Sequence, residues 1–263
     1  MFDFALCLAR IRQLTEERPH SAAPLELLKR ALSFQGRQTG GRLKPEDFLS
    51  PRGRKTLKET FIQALTALEG FPPPVSTQVP GVRIAFRRAD VMARFLKATL
   101  AEETGYLLRK AREKNLNLSL LNLLGFLVLP ALLVGEGPSK GTLRTNRCPC
   151  CGSRPQFGLN SSEEGRRYLF CPACYLRWPV RRDFCPLCGQ EHQDINYLFA
   201  QETPTARAHL CPQEEKTYFK IIEARELEAD SLALVEDLAT LEFDLALEKK
   251  GLKRWARGLL WPP

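Results

Sequence analysis

Eight of the nine cysteines in this chain of 263 residues lie between Cys148 and Cys211. They form three complete C-x-x-C pairs, Cys148/Cys151, Cys171/Cys174 and Cys185/Cys188, and a fourth unit that keeps only Cys211. Two thiols three residues apart can point the same way from one tight turn and supply half of a tetrahedral metal site. Pro149, Pro172, Pro186 and Pro212 each follow a first cysteine and preset that turn. Gly152 and Gly189 follow a second cysteine, where a positive φ lets backbone N–H groups approach the sulfurs. Two such knuckles close a sulfur cage suited to zinc or iron.

The gaps set the pairing. Nineteen residues separate Cys151 from Cys171 and 22 separate Cys188 from Cys211, but only 10 lie between Cys174 and Cys185. Each long gap has room for strand, turn and strand, which brings one knuckle back onto its neighbour. Tandem pairing makes Cys148, Cys151, Cys171 and Cys174 site one, and Cys185, Cys188 and Cys211 site two. Interleaving the first knuckle with the third is the alternative. Site two lacks a fourth cysteine, and Glu214 stands where it would fall. His209 is two residues before Cys211, on the same side of an extended strand, and is the preferred fourth ligand. His192, Glu214 and an empty second site stay open beside it. Cys150 reads as a spare thiol, because the Cys148/Cys151 register keeps Gly152 in place.

Other cysteine chemistries fit less well. A disulfide framework belongs to secreted chains, and the start of this one, Met1 to Cys7, has no basic stretch or cleavage site of an export signal. A dithiol redox pair needs one C-x-x-C in a βαβ setting, not three with ribbon spacing. The cysteine usage fits a reducing cytoplasm.

The elements that must position these residues are legible in outline. Apolar residues at helical spacing predict helices over 4–18, 23–34 and 54–69, and a long helix over 87–113 bent near Gly105. Residues 36–53 read as a loop, and residues 71–86, with Pro72, Pro73 and Pro74, as a connector. Residues 116–134 are uncharged and leucine-rich, long enough to suggest a membrane span. Asn117, Ser119, Asn122, Gly125 and Pro130 interrupt them, so a buried central helix is the better reading. Gly135, Gly137 and Pro138 open the link to the ribbons. Strands are expected at 168–170, 175–180, 197–199 and 217–222, with Trp178 in the ribbon core. A last helix is expected over 224–250, carrying Leu227, Leu234, Leu238, Leu241 and Leu245 on its inner face and acidic residues outside. The apolar tail, Trp255 to Pro263, should dock on the domain.

The net charge is +9, and residues 1–145 hold most of it, with 23 Lys and Arg against 13 Asp and Glu. That excess sits away from the cysteines and reads chiefly as a solvated helical surface. Arg166, Arg167, Arg177, Arg181 and Arg182 cluster near the ribbon strands, as a partner or nucleic-acid surface or as solvated strand edges.

The run from Cys148 to Pro155, followed by Arg167, Tyr168, Leu169, Cys171, Cys174, Trp178, Val180, Arg181, Cys185 and Cys188, resembles the FdhE-type formate dehydrogenase accessory proteins. Residues Glu236 to Leu241 and Glu248 to Gly251 look like that family too. The resemblance spans 148–263; residues 1–145 share only a helical, leucine-rich character. It implies an α+β fold: an all-α N-terminal domain (1–145), two tandem rubredoxin-like, zinc-ribbon metal-binding modules (146–182 and 183–223), and a C-terminal helix and tail (224–263). It implies a cytoplasmic assembly factor, not an enzyme, that binds the catalytic subunit of a respiratory formate dehydrogenase before export. It also implies one to two iron or zinc ions per chain. Cys148, Cys151, Cys171, Cys174, Cys185, Cys188 and Cys211 match the family's ligand positions, with Glu214 in place of the last cysteine.

Two other functions compete. An all-thiolate iron site one would suit one-electron transfer. A nucleic-acid ribbon would draw on the positive charge and the arginine cluster, but it would interleave aromatic and basic residues on one exposed strand face. No Ser-His-Asp set or phosphate-binding glycine loop is evident, and the chain has only three histidines.

Overall fold

The structure, a computed structural model, describes residues 2–18, 21–38, 43–133, 142–161, 166–192, 195–223 and 232–256. The fold is α+β. The helical part holds α1 (Phe4–Glu17), α2 (Ala22–Gly36), α3 (Pro51–Glu69), α4 (Val75–Ala85), α5 (Ala89–Leu100), α6 (Thr104–Glu113) and α7 (Leu118–Leu132). Its helix starts are written in the sequence. Asp3 accepts the Leu6 N–H at 2.9 Å, Ser50 accepts the Gly53 N–H at 3.0 Å, and Asn117 accepts the Ser119 N–H at 2.7 Å.

Several boundaries differ from expectation. The connector over 71–86 contains α4, whose buried Val79, Val82 and Ala85 recur every third residue. The prolines hide that period. Pro80 lies inside the helix and removes the bond its N–H would have made to the Ser76 carbonyl. The 36–53 loop contains a 3₁₀ turn at Pro45–Leu49. The long helix over 87–113 is two helices, broken at residues 101–103 where Glu102 takes φ +55°. The leucine-rich run is α7, with Leu121, Leu124, Leu127 and Val128 fully buried. No single helix among the described residues is long and apolar enough to cross a membrane. Gly135, Gly137 and Pro138 fall outside the described residues.

The second half is one seven-stranded sheet. Its strands are β1 (Phe157–Asn160), β2 (Arg167–Phe170), β3 (Arg177–Val180), β4 (Asn196–Phe199), β5 (Ala206–Leu210), β6 (Thr217–Glu223) and β7 (Lys253–Arg254). The order is β3-β2-β1-β6-β5-β4, and β7 also pairs with β6. Each antiparallel trio is one ribbon. The ribbons join through the parallel pair β1–β6, with Gly158 opposite Ile221 and Asn160 opposite Glu223. Trp178 is fully buried in this core, and its indole N–H donates to the Thr145 carbonyl at 3.1 Å.

The C-terminal helix is two short helices, α8 (Ala233–Ala239) and α9 (Leu241–Lys249), separated at Thr240; residues 224–231, with Leu227, lie outside the described residues. Part of the acidic set expected outside is instead buried: Glu242 and Glu248 are exposed, but Glu236, Asp237 and Asp244 are not. Asp237 and Asp244 lie beneath the sheet against Lys220 of β6 and Arg254 of β7, while Leu245 is exposed. Lys220 Nζ meets Asp244 Oδ2 at 2.6 Å, and Arg254 Nη2 meets Asp237 Oδ1 at 2.6 Å. Tyr218 donates to Asp244 at 2.7 Å and Gln156 donates to Asp237 at 2.8 Å. Burial alone would raise the Asp237 carboxyl, but Arg254 and Lys220 hold it below the usual carboxylate range. The start of the tail does pack: the Arg154 guanidinium lies 4.8 Å over the Trp255 ring, and Phe219 meets that ring edge-on. Residues 257–263 are outside the described residues.

Candidate metal centres

Three knuckles repeat one turn. The N–H of Gly152 bonds the Cys148 carbonyl at 2.9 Å, that of Tyr175 the Cys171 carbonyl at 3.0 Å, and that of Gly189 the Cys185 carbonyl at 2.9 Å. Each donor takes a positive φ, +75°, +58° and +75° respectively. Glycine adopts this freely; a tyrosine does so only when its surroundings repay the strain. Tyr175 is held by the helical part. Its ring stacks on Phe2 at 4.5 Å, and its hydroxyl donates to Gln35 Oε1 at 2.6 Å. Gln35 Nε2 in turn donates to the Phe126 carbonyl at 2.6 Å. That carbonyl is available because Pro130, four residues on within α7, has no N–H to offer it. The second knuckle is thereby fastened to the centre of the helical part.

At site one the sulfurs of Cys148, Cys151, Cys171 and Cys174 all lie within 4.8 Å of one another. Cys148 approaches Cys174 to 3.5 Å, and Cys151 approaches Cys171 to 3.5 Å. Sulfurs about 2.3 Å from one tetrahedral zinc sit about 3.8 Å apart, so the cage fits an ion of that size. Hydrogen bonds from Cys151, Cys171 and Cys174 draw the Cys148 thiol far below its usual value, while burial pushes the Cys171 thiol up. Cys150 is not one of the four.

At site two the close set is Cys185, Cys188, His192 and Cys211, whose ligand atoms lie within 4.8 Å of one another. His192 Nε2 is 3.1 Å from Cys188 Sγ and 4.0 Å from Cys211 Sγ. The local fold explains why. After the Gly189 turn the chain runs back antiparallel, with Phe184 bridged to Glu191 and the His192 N–H on the Asp183 carbonyl at 2.9 Å. This carries the imidazole back over its own knuckle.

His209, preferred from strand parity, lies outside that set. It is fully buried in β5, and its Nε2 lies 3.2 Å from the Cys185 sulfur. Its ring lies edge-on to Tyr197 at 5.6 Å. Burial, with the neighbouring Arg167 and His192, lowers the His209 imidazole to about 3. Glu214 is exposed, and the fourth unit no longer makes the shared turn: the Glu214 N–H bonds Cys211 three residues back, and the Gln213 N–H approaches the Cys211 sulfur at 3.4 Å. The signal for His192 was present as C-x-x-C-G-x-x-H.

The arginine cluster is partly consumed by the fold. Arg167 is buried and binds Asn160 Oδ1, the Arg182 carbonyl and the Tyr197 hydroxyl, tying one ribbon to the other. Arg181 pairs with Asp183 at 2.7 Å.

Fold and cages together define a class: a helical domain fused to two cysteine-rich ribbons that share one sheet, each ribbon carrying a set of four close metal-ligand side chains. Residues 147–182 match the family model described as FdhE, central domain. The chain is 37% identical over 120 residues to the protein named Protein FdhE homolog from Stutzerimonas stutzeri, covering 44% of this chain and 38% of that protein. It is 31% identical over 129 residues to Protein FdhE from Salmonella choleraesuis, covering 48% and 41%. The matched stretch is therefore less than half the length of these relatives. The fold match is broader. The crystal structure of the FdhE protein from Pseudomonas aeruginosa superposes with a TM-score of 0.65 at 25% identity, over 99% of this chain and 96% of that one. The chain thus resembles FdhE proteins in its cysteine-rich segment and shares the fold of one of them over nearly its whole length.

Proposed function

We infer that this chain is a metal-carrying accessory protein that holds the catalytic subunit of a formate dehydrogenase in the cytoplasm before export. The observation that carries this is the likeness to an FdhE structure over nearly the whole chain, together with the two cages of this chain. Cys148, Cys151, Cys171 and Cys174 would hold one ion, and Cys185, Cys188, His192 and Cys211 a second. Either zinc or iron suits these donors, and the ion would supply cross-linking of each ribbon, or one-electron chemistry if it is iron. The role is binding, with no catalytic step. The joined sheet and the Tyr175 anchor support a rigid body that presents one surface to a client.

The test is capture from cells that make a formate dehydrogenase, with the tagged full chain as bait. Recovery of the catalytic subunit, reduced when Cys171→Ser empties site one, is expected. Failure to recover it under conditions that preserve both metals would overturn the reading. The nucleic-acid alternative is weakened by the burial and internal bonding of Arg167, and requires a salt-dependent shift with RNA or DNA.

A further inference from the structure

We propose that His209 is the hydrogen-bond donor to the Cys185 sulfur in metal-loaded site two, and so tunes that thiolate without ligating the metal. The inference rests on the reading that site two holds an ion. Four donors, three sulfurs and the His192 imidazole, already complete a tetrahedral set. His209 approaches from outside that set. Its Nε2 lies 3.2 Å from Cys185 Sγ, and its Nδ1 is buried without a hydrogen-bond partner. The sulfur is therefore the ring's polar neighbour among the described residues.

The chemistry then assigns the proton. A neutral imidazole carries its one N–H on either ring nitrogen, and Nε2 of His209 is the nitrogen that faces Cys185 Sγ, at 3.2 Å. A metal-bound thiolate can only accept. The N–H must therefore sit on Nε2, leaving bare the nitrogen that has no donor facing it. Register fixes His209 between Tyr197 of β4 and Phe219 of β6, and Arg167 donates to the Tyr197 hydroxyl at 2.9 Å from the other ribbon. An N–H aimed at a thiolate withdraws charge from it, which lowers its reactivity and, for iron, raises the reduction potential. Arg167 and Tyr197 are the positioning residues, so a side chain of ribbon one sets a property of the metal in ribbon two.

The experiment uses the full chain loaded with zinc and labelled with ¹⁵N-histidine, read by long-range ¹H–¹⁵N correlation. Only three histidines contribute, and His209→Gln and His192→Cys assign them. Expected are an Nε2–H tautomer for His209 and a metal-shifted nitrogen for His192. An Nδ1–H tautomer, or a metal-shifted nitrogen on His209, overturns the proposal. In the cobalt-loaded chain, His209→Leu should keep two ions per chain, move the site-two thiolate-to-cobalt absorption to lower energy and weaken site two about tenfold, with His209→Gln intermediate. Loss of one ion in His209→Leu would make His209 a ligand and also overturns it. Wild-type protein that takes up a single ion would sink the two-metal reading itself, and this proposal with it.

Discussion

His192 Nε2 lies 3.1 Å from the Cys188 sulfur, so a residue four positions beyond a knuckle's second cysteine reaches back to complete that knuckle's own site. Three of the four site-two donors then come from residues 185–192, and only Cys211 comes from the facing hairpin. His192→Ala should weaken site two more than about a hundredfold, beyond what is usual for outer-shell changes, whereas Glu214→Ala should leave it unchanged. Competition with a chromophoric chelator measures both. Equal losses in the two variants would show that the exposed glutamate swings in to bind.

Ions bound in the cages would add to folding stability. A ligand that binds only the folded state stabilises it by mass action, and structural zinc sites are strongly linked to folding. Stripping the metal with a chelator should lower the melting temperature by more than about 10 °C, given that roughly 1 kcal/mol moves a chain of this size by 2–4 °C. Cys171→Ser alone should give a large part of that fall. Calorimetry with and without chelator checks this, and an unchanged transition would mean the ribbons fold without ions.

Tyr175 and Gln35 tie the second knuckle to the leucine-rich helix. Gln35→Leu leaves both the Phe126 carbonyl and the Tyr175 hydroxyl without their partner. A cost of about 1–3 kcal/mol follows from stranding such groups. Urea denaturation should show it as a lower midpoint, and Tyr175→Phe should show a smaller loss of the same sign.

The buried cluster of Lys220, Asp237, Asp244 and Arg254 predicts acid sensitivity. Asp237 titrates below its unfolded value of about 3.9, because Arg254 and Lys220 outweigh the burial that would raise it. A depressed carboxylate contributes stability that is present above the unfolded value and lost as pH falls through the folded one. Melting temperature should therefore hold from pH 7 to about 5 and drop below about pH 4. Asp237→Ala should cost about 3–5 kcal/mol at pH 7, since it leaves Arg254 short of a buried partner, and should flatten the acid limb. A variant with the wild-type acid profile would show that other carboxylates control it.

The ribbons were legible because knuckle chemistry is local: C-x-x-C, the following glycine and the length of the gap report on a turn and a hairpin without long-range information. The same locality explains the errors. Strand parity puts His209 on the side of the cysteines, and the structure sets its Nε2 against Cys185 while His192 joins the close set. Helix α4, within the expected connector 71–86, is obscured by Pro72, Pro73, Pro74 and Pro80, although Val79 and Val82 are buried on one face. Asp237 and Asp244 read as solvent-facing because carboxylates on a helix usually are; their partners Lys220 and Arg254 come from two strands that meet only in the folded sheet. The tyrosine in a glycine position gave no sequence signal, since its justification lies in Phe2 and Gln35.

The most direct test is the metal content of the anaerobically purified full chain beside Cys171→Ser and Cys211→Ser. Two independent tandem sites predict two ions per chain in the wild type and one in each variant, with site-one loss leaving site two spectroscopically intact. A single ion in the wild type, or loss of both ions in either variant, would contradict the pairing on which the account rests.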